Sequence, residues 1–162
     1  MELSVDQDFD ALTLTVTATF DHPVEKVWDL YADPRKLERW WGPPGAPATV
    51  VEHDLRPGGM VHYFMTIEGD QEHHGRWDVE SVDAPNGFVV LDRFAHPDGS
   101  PSDDMPATTM AYTFTPTDTG TQMVCVAQYT SREGLEQVLA MGVVDGLKGS
   151  MSQMDSILFG ES

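Results

Sequence analysis

Cysteine, basic residues and long apolar runs are what this chain has least of. Cys125 is the one cysteine, so no disulfide can form within the chain, a usage that fits a reducing compartment. Lysine and arginine number 9 against 27 aspartates and glutamates, a formal charge of −18, and a field of that sign repels phosphate backbones and anionic membrane surfaces. Nucleic acid and membrane are therefore not expected partners, and the acidity reads first as a well-solvated surface. No apolar stretch approaches the roughly 20 residues that a membrane helix needs. The N-terminus, MELSVDQDFD, has neither a basic start nor an apolar run and is not read as a secretory signal. A cytoplasmic protein is the expectation.

What is present is a strong alternation. At 162 residues and 40% hydrophobic content the chain can bury one core, so a single domain over 1–162 is expected, with residues 1–10 as a flexible N-terminal segment. In LTLTVTATF, Leu12, Leu14, Val16, Ala18 and Phe20 fall on one face and threonines on the other, the pattern of a half-buried strand. Pro23 is a favoured first helical residue, and Val24, Val27, Trp28 and Tyr31 then recur at helical spacing. Asp33 can cap a second short helix that begins at Pro34 and carries Leu37, Trp40 and Trp41. Gly42, Pro43 and Pro44 end it.

Period two then returns over 49–55, 60–67, 73–82, 88–94, 108–115 and 121–129, each run bounded by turn formers. The short connections favour antiparallel hairpins, and Arg56-Pro57-Gly58-Gly59 suits a type II turn. His96 to Pro106 has the composition of a long exposed, mobile loop. From Ser131 to Phe159 one helix is expected, with Leu135, Leu139, Val143, Leu147, Met154, Ile157 and Leu158 on one broad face. Gly142, Gly146 and Gly149 lie on or beside that face, and glycines inside a helix suggest that something approaches it closely, a sheet strand first and a ligand as the alternative. An antiparallel sheet of about seven strands must cover its apolar face, and the terminal helix is the element long enough to do so. The fold class is α+β: two short helices after the first strand, and a curved sheet wrapped around a long C-terminal helix.

Three stretches carry a family resemblance. HPVEKVWDLYADPRKLERWWGPPG, HDLRPGG and QVLAMGVVDGLKGSMSQMDSIL, in this order, resemble the branch of the START-like helix-grip (SRPBCC) superfamily named after the activator of the heat-shock chaperone ATPase. The resemblance implies a helix-grip fold over nearly the whole chain. It also implies that the helix with Leu37, Trp40 and Trp41 closes one end of the space between sheet and terminal helix. Rings of this size serve first as a core plug, and Trp41, beside the Gly-Pro-Pro stop, is the better candidate for a cavity wall.

No catalytic constellation is recognised: there is no nucleophile elbow, phosphate loop, dinucleotide fingerprint or His-Glu-x-x-His. Cys125 lies mid-strand, where a thiol behaves as a small hydrophobe. His53, His62, His73 and His74 fall on three neighbouring strands, yet adjacent His73 and His74 must point to opposite faces, so ordinary hydrogen-bonded histidines are expected and no metal or cofactor. The leading expectation is a module that binds a small apolar or aromatic ligand between sheet and helix, with few polar anchors. Its expected lining is Trp41, Tyr63, Met65 and Trp77, with His62 as polar anchor. Met110, Tyr112 and Phe114 from a later strand and Leu139, Gly142 and Gly146 from the helix complete it. The superfamily resemblance also admits a polyketide cyclase or aromatase-like enzyme, which would need His62, Asp54 or Glu68 inside the pocket. The family's name admits a chaperone-binding ATPase regulator. A homodimer is compatible with the sequence but unmarked in it.

Overall fold

Threonine and leucine alternation at the start of the chain forms a strand whose leucine face is sealed and whose threonine face is half-buried. The computed structural model describes residues 2–41, 48–67, 71–102, 107–140 and 142–160. The strands are β1 (Glu2–Asp8), β2 (Thr13–Phe20), β3 (Ala48–His53), β4 (Met60–Ile67), β5 (Gln71–Asp83), β6 (Gly87–Phe94), β7 (Thr108–Pro116) and β8 (Thr121–Gln128). They form one curved, unclosed sheet, antiparallel throughout, in the order β1-β2-β8-β7-β6-β5-β4-β3. The seven strands expected from the sequence are all present, each boundary within two residues. The eighth is β1: residues expected as a flexible segment pair along β2, from Glu2 opposite Thr19 to Asp8 opposite Thr13.

Helices α1 (Val24–Ala32) and α2 (Pro34–Trp40) follow β2. Pro23 is the N-cap of α1, in extended conformation, one position earlier than the sequence suggests. Asp33 caps α2 as expected, its side chain accepting from the Arg35 N–H, with Pro34 at the first helical position, where a missing N–H costs nothing. The Gly-Pro-Pro stop lies outside the described residues.

The terminal helix is interrupted. It runs as α3 (Arg132–Ala140), α4 (Val143–Met151) and α5 (Met154–Gly160). Gly142 stands in the left-handed region at φ 82, which no helix continues through and which glycine tolerates without strain. These segments and the helices α1 and α2 cover the concave face. Leu14, Val16 and Phe20 of β2, Met123 and Cys125 of β8 and Val90 of β6 pack beneath them. The outer face is covered in part by the chain after β6. The Ala95 N–H donates to the His74 carbonyl at 3.0 Å, and Gly99 and Ser102 are buried. The first part of the expected mobile loop is thus docked, and residues 103–106 lie outside the described ones. Among the described residues no helix is long and apolar enough to cross a membrane.

Candidate functional site

The core under the concave face has a solid end and a hollow one. At the solid end α1 and α2 deliver rings onto β6 and β7. Tyr31 meets Trp40 edge-on at 5.0 Å between centroids and Phe114 at 5.3 Å, and Phe88 stacks on Tyr112 at 4.5 Å. The Trp40 Nε1–H donates to the Leu30 carbonyl at 2.8 Å, so this indole is sealed and satisfied. Trp40 is the plug of the tryptophan pair. Trp41, perpendicular to it at 5.3 Å, turns the other way and stands in a cavity wall.

That cavity, about 400 Å³, lies between β4–β8 and the segments α3 and α4. Of the residues nominated from sequence, Trp41, Tyr63, Met65, Met110, Gly142 and Gly146 stand in its walls. The other five do not. Trp77, Tyr112 and Phe114 point to the same face but are sealed in the packed core, and Leu139 packs against that core from the helix side. His62 is on the opposite face. The Met60–Met65 run is apolar on both sides, and the register of β4 with β5 sends Val61, Tyr63 and Met65 inward and His62 outward. There His62 is buried, because the loop lays Gly99 over it. His62 Nε2 lies 2.8 Å from His74 Nδ1, and His74 Nε2 lies 2.9 Å from Glu72 Oε1. Donation toward an ionised Glu72 orients the pair: the His74 Nε2–H donates to the carboxylate and the His62 Nε2–H to His74. Burial, then His74 and Arg76, push the His62 pKa down.

The glycines were expected to admit a close neighbour, a sheet strand or a ligand. No strand approaches them: a Cβ at Gly142 or Gly146 would meet nothing within 4 Å. Glycine here leaves open space rather than filling a tight contact.

The wall also holds residues that the sequence reading passed over, chief among them Asp92, with Gly75, Phe94, Tyr129 and Val138. Along β6, Phe88 and Val90 point inward, so Asp92 and Phe94 must follow. Asp92 is paired across the sheet with Trp77, and Tyr63 with Gly75. The Tyr63 ring lies across Gly75, where an added Cβ would come within 2.6 Å of the phenolic oxygen. The missing side chain is what lets the Tyr63 hydroxyl span β5 and donate to Asp92 Oδ1 at 3.1 Å. Burial raises the Asp92 pKa to about 7, against the smaller lowering effects of Tyr63 and Trp77. Its half-buried surface opens on the cavity, and among the described residues no ion pair compensates it. The indole nitrogens of Trp41 and Trp77 are buried without completing a hydrogen bond, although both help to stabilise the Tyr63 phenolate. Burial and the Asp92 charge nevertheless keep the Tyr63 pKa well above the ordinary range.

The remaining candidates fall elsewhere. Asp54 pairs with Arg56 at 2.9 Å in the turn before β4, and Glu68 lies outside the described residues. Burial pushes the Cys125 thiol up to about 12, so it is no thiolate at neutral pH. Among the described residues no three His, Cys, Asp or Glu side chains are grouped to hold a metal.

The model of the family "Activator of Hsp90 ATPase homolog 1-like protein" matches residues 21–158. The chain belongs to that family. A crystal structure of a Mycobacterium smegmatis protein is 49% identical over 97% of both chains, with TM-score 0.89. A solution structure from Arthrobacter aurescens is 34% identical, covering 97% of this chain and 91% of that one, with TM-score 0.90. A Rhodobacter sphaeroides crystal structure shares the fold at TM-score 0.86 with 18% identity, covering 98% of this chain and 99% of that one. No curated protein matches the chain. The helix-grip fold of this family commonly binds hydrophobic ligands.

Proposed function

We propose that the protein is a small-molecule binding module that holds an apolar or aromatic ligand between the sheet and the C-terminal helices. The observation that carries this is the hollow of about 400 Å³ beside a ring-packed core. It falls in the size range of ligand pockets, with mostly apolar walls and one buried carboxyl among few polar groups. The fold's common use for hydrophobic ligands supports the same reading. Native mass spectrometry of the protein purified from its own host, followed by denaturation, tests it. A released compound of defined mass is expected; a clean ligand-free mass overturns the reading. Gly146→Leu, which puts a side chain into open space, is expected to keep the fold and lose the compound.

A second reading has one observation in its favour. A cyclase-type enzyme needs an acid or base inside the cavity, and Asp92, with a pKa raised to about 7, is such a group. Turnover of a cyclisable polyketone by wild type but not by Asp92→Asn would favour it over simple binding. The chaperone-regulator reading rests on the family description alone. Pull-down with the host chaperone and an ATPase assay test that one.

A further inference from the structure

If the hollow is a binding site, its walls also bear on the charge of what it holds. Asp92 is the one carboxyl in the wall among the described residues, and none of those residues forms an ion pair with it, although Arg93 borders the same cavity. The adjacent Arg93 is spent on the outer face, its Nε 3.1 Å from Asp78 Oδ2. A carboxylate in an apolar enclosure without a counter-charge is costly, and a bound cation removes that cost. The rings of Trp41, Tyr63, Phe94 and Tyr129 line the same cavity, Tyr63 in contact with Asp92, and aromatic faces attract cations within about 6 Å. The chain's formal charge of −18 raises the local concentration of cations and repels anions. Beyond the rings the wall carries Met65, Met110, Val138 and Leu147, with Thr108, Ser150, His73 and Arg93 as further polar members.

We propose that the cavity takes an amphiphilic cation, a protonated amine or quaternary ammonium on an apolar or aromatic body. Its nitrogen meets the Asp92 carboxylate among the rings of Trp41, Tyr63 and Tyr129, and its body fills the space along Met65 and Met110. This rests on the binding-module reading and adds the chemical class of the ligand. Gly75 is the positioning residue: by leaving room for the Tyr63 ring it brings the hydroxyl to Asp92 Oδ1 and orients the carboxylate.

Binding of such a cation depends on the ionisation of Asp92. The titratable and charged groups around it are Tyr63 from β4, His73 from β5, Arg93 beside it on β6, Tyr112 from β7, Cys125 from β8 and Tyr129 just after it. Burial holds the three phenols and the thiol above the neutral range, and α3 and α4 contribute Val138, Leu147 and Ser150, which do not titrate. His74 is tied to His62 and Glu72 on the outer face, so His73 at the mouth is the histidine to control for.

The test uses three matched probes, naphthylmethylamine, naphthylmethanol and naphthoate, titrated into the full chain and followed by calorimetry and by NMR of the tryptophan indoles. The amine is expected to bind at least about tenfold more tightly than the alcohol at pH 8, with naphthoate weakest. Its affinity is expected to rise about tenfold from pH 6 to pH 8, the ratio of ionised fractions for a carboxyl near 7, while the alcohol's stays flat. Asp92→Asn is expected to abolish the preference and keep the alcohol's affinity; His73→Gln should retain the pH slope. An alcohol or naphthoate that binds as tightly as the amine overturns the cation assignment and leaves the binding module standing. If none of the three probes perturbs the wild-type indoles or releases heat, the binding-module reading falls with it.

Discussion

Under one end of the sheet Tyr31, Phe88, Tyr112 and Phe114 interlock ring against ring; under the other, Trp41, Tyr63, Phe94 and Tyr129 stand around a space of about 400 Å³. The sheet provides aromatic and methionine side chains at both ends, so residue type does not separate them. The difference lies in what faces the sheet. Helices α1 and α2 bring Leu30, Tyr31, Leu37 and Trp40 down into the core, all nearly or wholly inaccessible. Helix α4 and the turn before it bring Gly146 and Gly142, with open space beside their Cα atoms. The hollow is made by side chains that the helix lacks.

Breaking the solid end has the largest expected effect. Phe88→Ala removes the ring against which Trp28, Tyr31 and Tyr112 pack, and should cost about 3–5 kcal/mol in urea unfolding. An equally large loss on replacing Tyr129 by alanine at the hollow end would erase the distinction between the two ends.

The next effect belongs to Asp92 in the ligand-free protein. Its pKa is raised from the ordinary 3.8 to about 7 by burial, so the folded state holds the proton longer than the unfolded one. Stability is therefore undiminished below about pH 4, falls as pH rises toward 7, and stays reduced above it. Asp92→Asn should be more stable than wild type by about 2–4 kcal/mol at pH 8 and nearly equal at pH 4, measured by paired denaturant curves. An unchanged difference across that range would mean that the carboxyl is solvated.

The smallest effects separate the two helix glycines. Gly142→Ala should destabilise by about 1 kcal/mol, because φ 82 is unfavourable for any residue with a Cβ. Gly146→Ala, inside α4 with nothing near its Cα, should stabilise by about 0.5–1 kcal/mol through helix propensity alone. Thermal unfolding of the two variants side by side checks both signs.

The sheet was readable in the sequence because a half-buried strand has a period of two, and runs such as LTLTVTATF or Met110, Tyr112 and Phe114 declare their buried side. Parity failed at Met60–Met65, where both sides are apolar. His62 is buried because a loop distant in sequence covers it, which no local pattern reveals. Gly142 and Gly146 border the cavity with open space beside them, so no strand fills the gap they leave, and a glycine that admits a strand and one that leaves a void look alike in one dimension. Asp92 carried a visible signal, a charge at an inward position following Phe88 and Val90. Its importance depends on the pairing that sets Gly75 opposite Tyr63 and Trp77 opposite Asp92, and register between strands is not written in either strand alone.

The unclosed sheet leaves β1 and β3 as its outermost strands. Such edges carry unpaired backbone groups that invite a further strand, and polymerisation begins that way. Here Glu2, Asp6 and Asp8 line β1, so an arriving copy of that edge meets its own charge, while a bulge between Val50 and Glu52 spoils the regularity of β3. The surplus of carboxylates thereby acts as insurance against fibre growth, and acid or high salt are the conditions that would cancel it.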